Sequence, residues 1–167
     1  GEVLLPAAPT DLAVSGGGGG AWVAAACGAA GVAVVERGAA PRLVAVIPTP
    51  SAVAAVAWAG GKVVAATGKG VVRLEPAEGV GLVDLDDDGV DDRLVDTRAA
   101  ASAFTSVSSD LDRVVAARSD GHVVAWRLVV GGLVQELDLT PGATAKRVAL
   151  RGGLVALVVE EFLPLAG

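Results

Sequence analysis

Residues 105–128 read "TSVSSDLDRVVAARSDGHVVAWRL". An alternating run ends at Asp110, a polar turn follows, and "RVVAAR" leads through "SDGH" into a third run, "VVAWRL". Valine and the aromatics fit a pleated, half-buried surface, whereas Asp, Ser and Gly punctuate turns. The stretch therefore predicts three short strands joined by tight turns, one edge of an antiparallel meander.

The same pattern recurs outward along the chain. "DLAVSGGGGGAWVAAA" from Asp11, "AVAWAGGKVVAAT" from Ala55 and "RVALRGGLVALVV" from Arg147 each give a strand, a Gly or polar turn, and a second strand. Anchored on Ser15, Ala59, Ser109 and Arg151, the steps are 44, 50 and 42 residues. A third and fourth strand follow three of the pairs: "VAVVE" and "RLVAVI", "VVRLE" and "RLVDT", "VVAWRL" and "LVQELDL". A four-stranded meander of this kind cannot bury both its faces alone, so copies must stack, and radial stacking protects their edges.

The expected fold is thus an all-β propeller of four-stranded antiparallel blades occupying one domain, 1–167. Its units are 10–50, 52–100 and 103–142, with 143–167 and 1–9 combining as a composite fourth blade. The similarity of "EVLLPAAPTDLAV" to "VAVIPTPSAVAAV" places Glu2 to Leu5 in the role of a fourth strand. The C-terminal run supplies that blade's first, second and a short third strand.

Composition agrees with this reading. Hydrophobic residues make up 53% of the 167 residues, yet only three Trp and two Phe are aromatic, so Ala and Val fill the core. The tryptophans at strand positions read as packing between blades. A net charge of −6 argues against a nucleic-acid partner, which would require clustered Lys and Arg. Cys27 is the single cysteine, which excludes an intrachain disulfide and a cysteine metal cluster. Two uncharged runs, 16–35 and 43–61, are interrupted by seven glycines and by Pro48 and Pro50, and read as strand pairs rather than membrane spans. Gly1 opens the chain without an initiator Met, which reads as a processed or trimmed product.

The repeats resemble known propeller families. "DLAVSGGGGGAWVAAACGAAGVAVVERGAAPRLVAVIPTP" is similar to the LVIVD type of bacterial repeat, although the usual second-strand aromatic is displaced. "SVSSDLDRVVAARSDGHVVAWRL" resembles a WD40 blade, with Ser119, Asp120, Gly121 and Trp126 at its turn and third-strand positions, though no WD dipeptide occurs. The resemblance implies a propeller scaffold and interaction surfaces, without a shared chemistry.

The longest step contains "LVDLDDDGVDDRLVDT", residues 82–97, with seven aspartates within 84–96 and a single arginine. Asp84-x-Asp86-x-Asp88-Gly89 is the spacing at which alternate carboxylates converge on a hard cation, with Gly permitting the sharp turn and the Val90 carbonyl in a further ligand place. It resembles the calcium loops of FG-GAP and VCBS-type repeats, which also precede a strand. That resemblance implies Asp84, Asp86, Asp88, the Val90 carbonyl and Asp92 as ligands of one structural calcium ion. Val95 stands where an EF-hand has its bidentate Glu, so affinity near ~10⁻⁴ to 10⁻³ M is expected, which suits a protein outside the cytoplasm. The competing reading is a solvated acidic hairpin.

Other candidates for chemistry have simpler readings. His122 sits in a hairpin turn, and no G-x-S-x-G elbow presents a serine. Cys27 ends an apolar strand and reads as packing. Neither the glycine run 16–20 nor "GKG" at 68–70 meets the phosphate-loop pattern. The expectation is a non-catalytic structural or protein-interaction module, cell-surface or secreted, engaging a protein partner or a second copy. The alternatives are a hydrolase or lyase on a propeller scaffold, and a larger propeller completed by oligomerisation.

Overall fold

A computed structural model of the chain describes residues 1–15, 22–141 and 144–159. The glycine run and the third strand expected of the composite blade lie outside these residues. Fifteen strands and no helix are found among the described residues.

Short, Val- and Ala-rich segments separated by Gly, Pro and Asp form successive antiparallel sheets. In the first, β1 (Asp11–Val14), β2 (Trp22–Ala26), β3 (Val32–Glu36) and β4 (Arg42–Ile47) pair in chain order. The second joins β5 (Val53–Ala59), β6 (Lys62–Thr67), β7 (Gly70–Leu74) and β9 (Leu94–Ala99). The third joins β10 (Phe104–Asp110), β11 (Arg113–Arg118), β12 (Val123–Val129) and β13 (Gly132–Leu139). The fourth contains, among the described residues, β14 (Ala145–Arg151) and β15 (Leu154–Val159). The expected order of strand, turn and strand is reproduced in the second, third and fourth, and the first has both strands, their connection lying outside the described residues. One unforeseen strand, β8 (Gly79–Val80), leaves the second unit and pairs parallel to β4 as a fifth strand of the first sheet.

Tight turns need glycine in places. Gly31 has φ +87°, and a Cβ there would lie 2.1 Å from the Ile47 carbonyl oxygen, so the β2–β3 turn passes against the end of β4 only because the side chain is absent.

The sheets stack face to face because strand side chains alternate. Ala24 and Ala26 of β2 join Val32, Val34, Ala45 and Ile47 to meet Val56, Val63, Ala65 and Val72 of the second sheet. The second sheet's other face, with Ala55, Ala57, Val64 and Ala66, meets Phe104, Val107, Val114, Ala116 and Trp126 of the third. Val115, Ala117 and Val123 then meet Ala145 and Val148 of the fourth. Trp22 and Trp58 lie half-buried against the first interface and Trp126 is buried in the second, as expected of packing residues.

Innermost strands β1, β5, β10 and β14 lie side by side and are stitched across the sheets. Asp11 accepts the Val56 N–H (3.0 Å), the Trp58 indole donates to the Ala13 carbonyl (3.0 Å), and Ser106 and Ser108 accept the N–H groups of Val148 (3.2 Å) and Leu150 (3.0 Å). Each of these strands has only one neighbour in its own sheet, so a cross-sheet side chain satisfies an amide that would otherwise be unpaired.

The chain ends depart from expectation. Glu2 to Leu5 is in no strand, and among the described residues β14 and β15 pair only with each other. Pro6 and Pro9 remove two ladder donors from this segment. Leu5 packs instead on the outer face of the first sheet, against Ala25, Cys27 and Ala33. Among the described residues no strand pairing joins the fourth sheet to the first.

Candidate metal centre

The acidic insert runs from the end of β7 to the start of β9. Its base is fixed by a group the sequence reading passed over, a buried ion pair between Asp91 and Arg93. Both side chains are almost fully enclosed (1% and 3% exposed). Arg93 Nε donates to Asp91 Oδ1 (2.8 Å) and its Nη2 to Oδ2 (2.7 Å), a bidentate fork. The same guanidinium donates to the carbonyls of Gly79 (2.8 Å), Val46 (3.3 Å) and Gly81. It thereby clamps β8 against β4 and ties the insert to the preceding sheet. Burial raises the Asp91 pKa, but the Arg93 side chain, the N–H groups of Arg93 and Val83, and the Arg93 charge outweigh it and hold the carboxyl below its ordinary value. The available signal was that Arg93 is the one cation in an acidic run, two places from an aspartate at a strand entrance.

Above that base the chain folds into a turn held by its own carboxylates. Asp84 accepts the N–H groups of Asp88 (3.2 Å) and Gly89 (2.8 Å), Asp86 accepts Asp88 N–H (3.3 Å), and Asp88 accepts Val90 N–H (2.7 Å). Asp87 and Gly89 adopt φ of 62° and 80°, a conformation that Asp and Gly tolerate best. The result brings carboxylate oxygens of Asp84, Asp86 and Asp88 within 4.8 Å of one another. Asp84 is half-buried and the other two are exposed.

Three of the five expected ligands are therefore gathered. Asp92 is outside the cluster: its Oδ2 receives the Leu85 N–H at 2.5 Å, and its own N–H donates to the Val83 carbonyl (2.8 Å). Val90 is at the end of the turn with an exposed side chain. Hard cations such as calcium take six to eight oxygens, so three carboxylates from one turn could supply only part of such a coordination shell.

The remaining candidates have structural surroundings. Cys27 is buried, and desolvation pushes its thiol up despite partly offsetting bonds to the backbone of Ala7 and Ala33, the opposite of thiolate activation. His122 Nδ1 lies 2.6 Å from Asp138 Oδ1 at the exposed end of the third sheet. Among the described residues no serine, threonine or cysteine is hydrogen-bonded to its ring. A cavity of about 1010 Å³ opens between the innermost strands, lined by Asp11, Trp58, Ser108, Asp110 and Arg147 among others. Its carboxylates are engaged: Asp11 holds Val56 N–H and Asp110 holds Gly152 N–H.

Comparison with solved structures places this geometry among the β-propellers. The chain is similar to the computationally designed Ika4 protein, with a TM-score of 0.66 and 19% identity over 93% of this chain and 88% of that one. It is also similar to the Swd1 β-propeller domain of Myceliophteria thermophila, with a TM-score of 0.58 and 12% identity. That superposition takes in 89% of this chain and 50% of the Swd1 domain, so the chain spans half of that domain's length. The likeness is one of fold: stacked four-stranded antiparallel sheets in a propeller arrangement. No protein-family model and no curated protein matches the chain.

Proposed function

We propose that the protein is a non-catalytic interaction module on a propeller scaffold, working outside the cytoplasm, in which calcium at Asp84, Asp86 and Asp88 rigidifies one exposed hairpin. The observation that carries this reading is the division of labour among its acidic groups. Asp11, Asp91 and Asp110 are bonded to the backbone of neighbouring segments or to Arg93, whereas Asp84, Asp86 and Asp88 accept only amides of their own turn and bring their carboxylates together there. Carboxylates held by strand amides serve the scaffold rather than proton transfer, and loops on a rigid frame are where binding surfaces arise. Turnover of ester, phosphoester or glycoside substrates that falls on replacing Asp11 or Asp110 would contradict the non-catalytic reading.

Calorimetric titration of chelator-treated protein tests the metal. Saturable calcium binding is expected with a Kd of ~10⁻⁴ to 10⁻³ M, as for extracellular modules. At a hundredfold excess over Kd the ion would stabilise the native state by ~2.7 kcal/mol. The double substitution Asp86→Asn, Asp88→Asn is expected to abolish the heat while leaving the strand signal in circular dichroism unchanged. A flat trace up to millimolar calcium with the parent chain removes the site.

A further inference from the structure

Strand β7 carries an arginine on a face that is otherwise apolar. Its register sets Arg73 opposite Val64 of β6, and Val71, two places back, shares that face. Both valines belong to the cluster between the second and third sheets, so Arg73 is drawn in with them and is only 7% exposed. Its Nε is fully enclosed without a partner, and among the described residues its guanidinium makes no hydrogen bond or ion pair. Asp96 stands across from it on β9, but that carboxylate accepts the Leu133 N–H (2.7 Å) and pairs with Arg98 (3.2 Å). Arg93 is the contrast within the same chain, a buried guanidinium that meets a carboxylate and three carbonyls. Buried polar groups are bonded as a rule, and a buried cation without a counter-charge is strongly unfavourable.

Arg73 lines a cleft of about 570 Å³ between the β5–β6 turn and the β12–β13 hairpin, together with Lys62, Asp112, Arg127, Leu128 and Val129. Three cations thus meet one carboxylate around this cleft, in a chain whose net charge is −6. The outer two already have partners: Lys62 bonds Glu75, and Arg127 Nε reaches Glu136 at 2.9 Å and Asp112 at 4.0 Å. Of the three, Arg73 alone has no anionic partner. A guanidinium offers a planar fork of donors that matches the oxygens of a carboxylate or a phosphate. Half-buried Leu128 and Val129 give the cleft an apolar wall beside that fork.

We propose that this cleft binds the oxyanion group of a small ligand, a carboxylate or a phosphate, on Arg73, with Leu128 and Val129 against the ligand's apolar part. Lys62 and Arg127 at the mouth favour the approach of negative charge. Inside, charge-assisted hydrogen bonds to a guanidinium withdrawn from water are stronger than they would be in solvent. The cleft's size is that of an ordinary small-molecule site. Lys62 and Arg73 come from the second sheet and Arg127 and Leu128 from the third, so an occupant also ties two units together. The inference goes beyond the interaction-module reading and is independent of the calcium proposal.

Thermal melts in calcium-free buffer at fixed ionic strength, with inorganic phosphate in one series and butyrate in another, test it. The parent Tm is expected to climb with at least one of them, by about 3–6 °C for each tenfold rise in concentration above Kd. The stronger of the two responses identifies the oxyanion. Arg73→Met removes an uncompensated buried charge, so it is expected to hold the anion-free Tm while losing the response. Phosphate also stabilises proteins by exclusion from their surfaces, an effect common to parent and variant, so the difference between the two proteins is what is read. A parent that responds to neither anion into the high-millimolar range overturns the proposal, and so does a response that survives Arg73→Met. Where Arg73→Met loses its strand signal in circular dichroism, Arg73→Lys is read instead, since it keeps the charge without the fork. That variant is expected to bind about tenfold more weakly, and an undiminished response from it would equally overturn the site.

Discussion

Replacing Arg93 with Met is expected to cost the fold about 3–5 kcal/mol, because it leaves the Asp91 carboxylate buried without its partner. For a domain of this size the corresponding fall in Tm is about 6–20 °C, at about 2–4 °C per kcal/mol. The loss is local in origin but spreads across two sheets. The same guanidinium holds the Gly79, Gly81 and Val46 carbonyls, so its removal frees β8 from β4 as well as unpairing Asp91. The double substitution Asp91→Leu, Arg93→Met is expected to recover much of the loss, since exchanging both members of a buried pair for apolar groups is often near neutral. Thermal melts of the three proteins check this. Equal stability of the single variant and the parent would show the pair to be idle.

The same pair sets an acid limit. The Asp91 pKa is lowered in the folded protein, so its contribution is complete above the ordinary carboxylate value and is lost as pH falls through that value towards the folded one. Denaturant melts from neutral pH downwards should show the parent weakening through this window and Arg93→Met weakening less.

Substituting Trp126 by Ala is expected to cost about 3–5 kcal/mol, the range for truncating a large buried aromatic. Trp126 is 3% exposed and meets Phe104 edge to face, with ring centroids 5.6 Å apart and planes at 61°. That geometry adds about 0.5–1.5 kcal/mol beyond area burial. Both rings belong to the cluster that joins the second and third sheets. The cavity would therefore loosen a junction between units as well as one sheet. In equilibrium denaturation the variant should unfold in a single transition at lower denaturant. A parent-like midpoint, or a split in which only part of the signal moves, would mean that the sheets do not share this core.

Much of the fold was legible in the sequence because its strands are short and its turns are marked by residues with special backbone preferences. "VAVVE" and "RLVAVI" coincide with β3 and β4, and the excess length of the longest repeat falls between β7 and β9, where it was expected. Other features depend on groups far apart in sequence. Arg93 contacts Val46, 47 positions away, and although its place as the one cation in an acidic run hints at a pair with Asp91, no local pattern names the distant carbonyls it meets. The two-residue strand β8 has no periodicity to read. At the candidate metal centre, alternation placed Asp84, Asp86 and Asp88 on one turn, but the backbone amide of Leu85 competes for Asp92 and takes its carboxylate away from the cluster. The expected role of Glu2 to Leu5 rested on likeness to another segment, whereas Pro6 and Pro9 and the apolar patch around Cys27 favour a packed, unpaired course.

Amide hydrogen exchange measured residue by residue tests the stacked arrangement most directly. The N–H groups of Val56, Val148 and Leu150 are bonded to side chains of a neighbouring sheet, namely Asp11, Ser106 and Ser108. The account predicts strong protection at these three amides, falling at Val148 when Ser106 is changed to Ala and at Leu150 when Ser108 is. Exchange at the rate of a free sheet edge in the parent protein would contradict it.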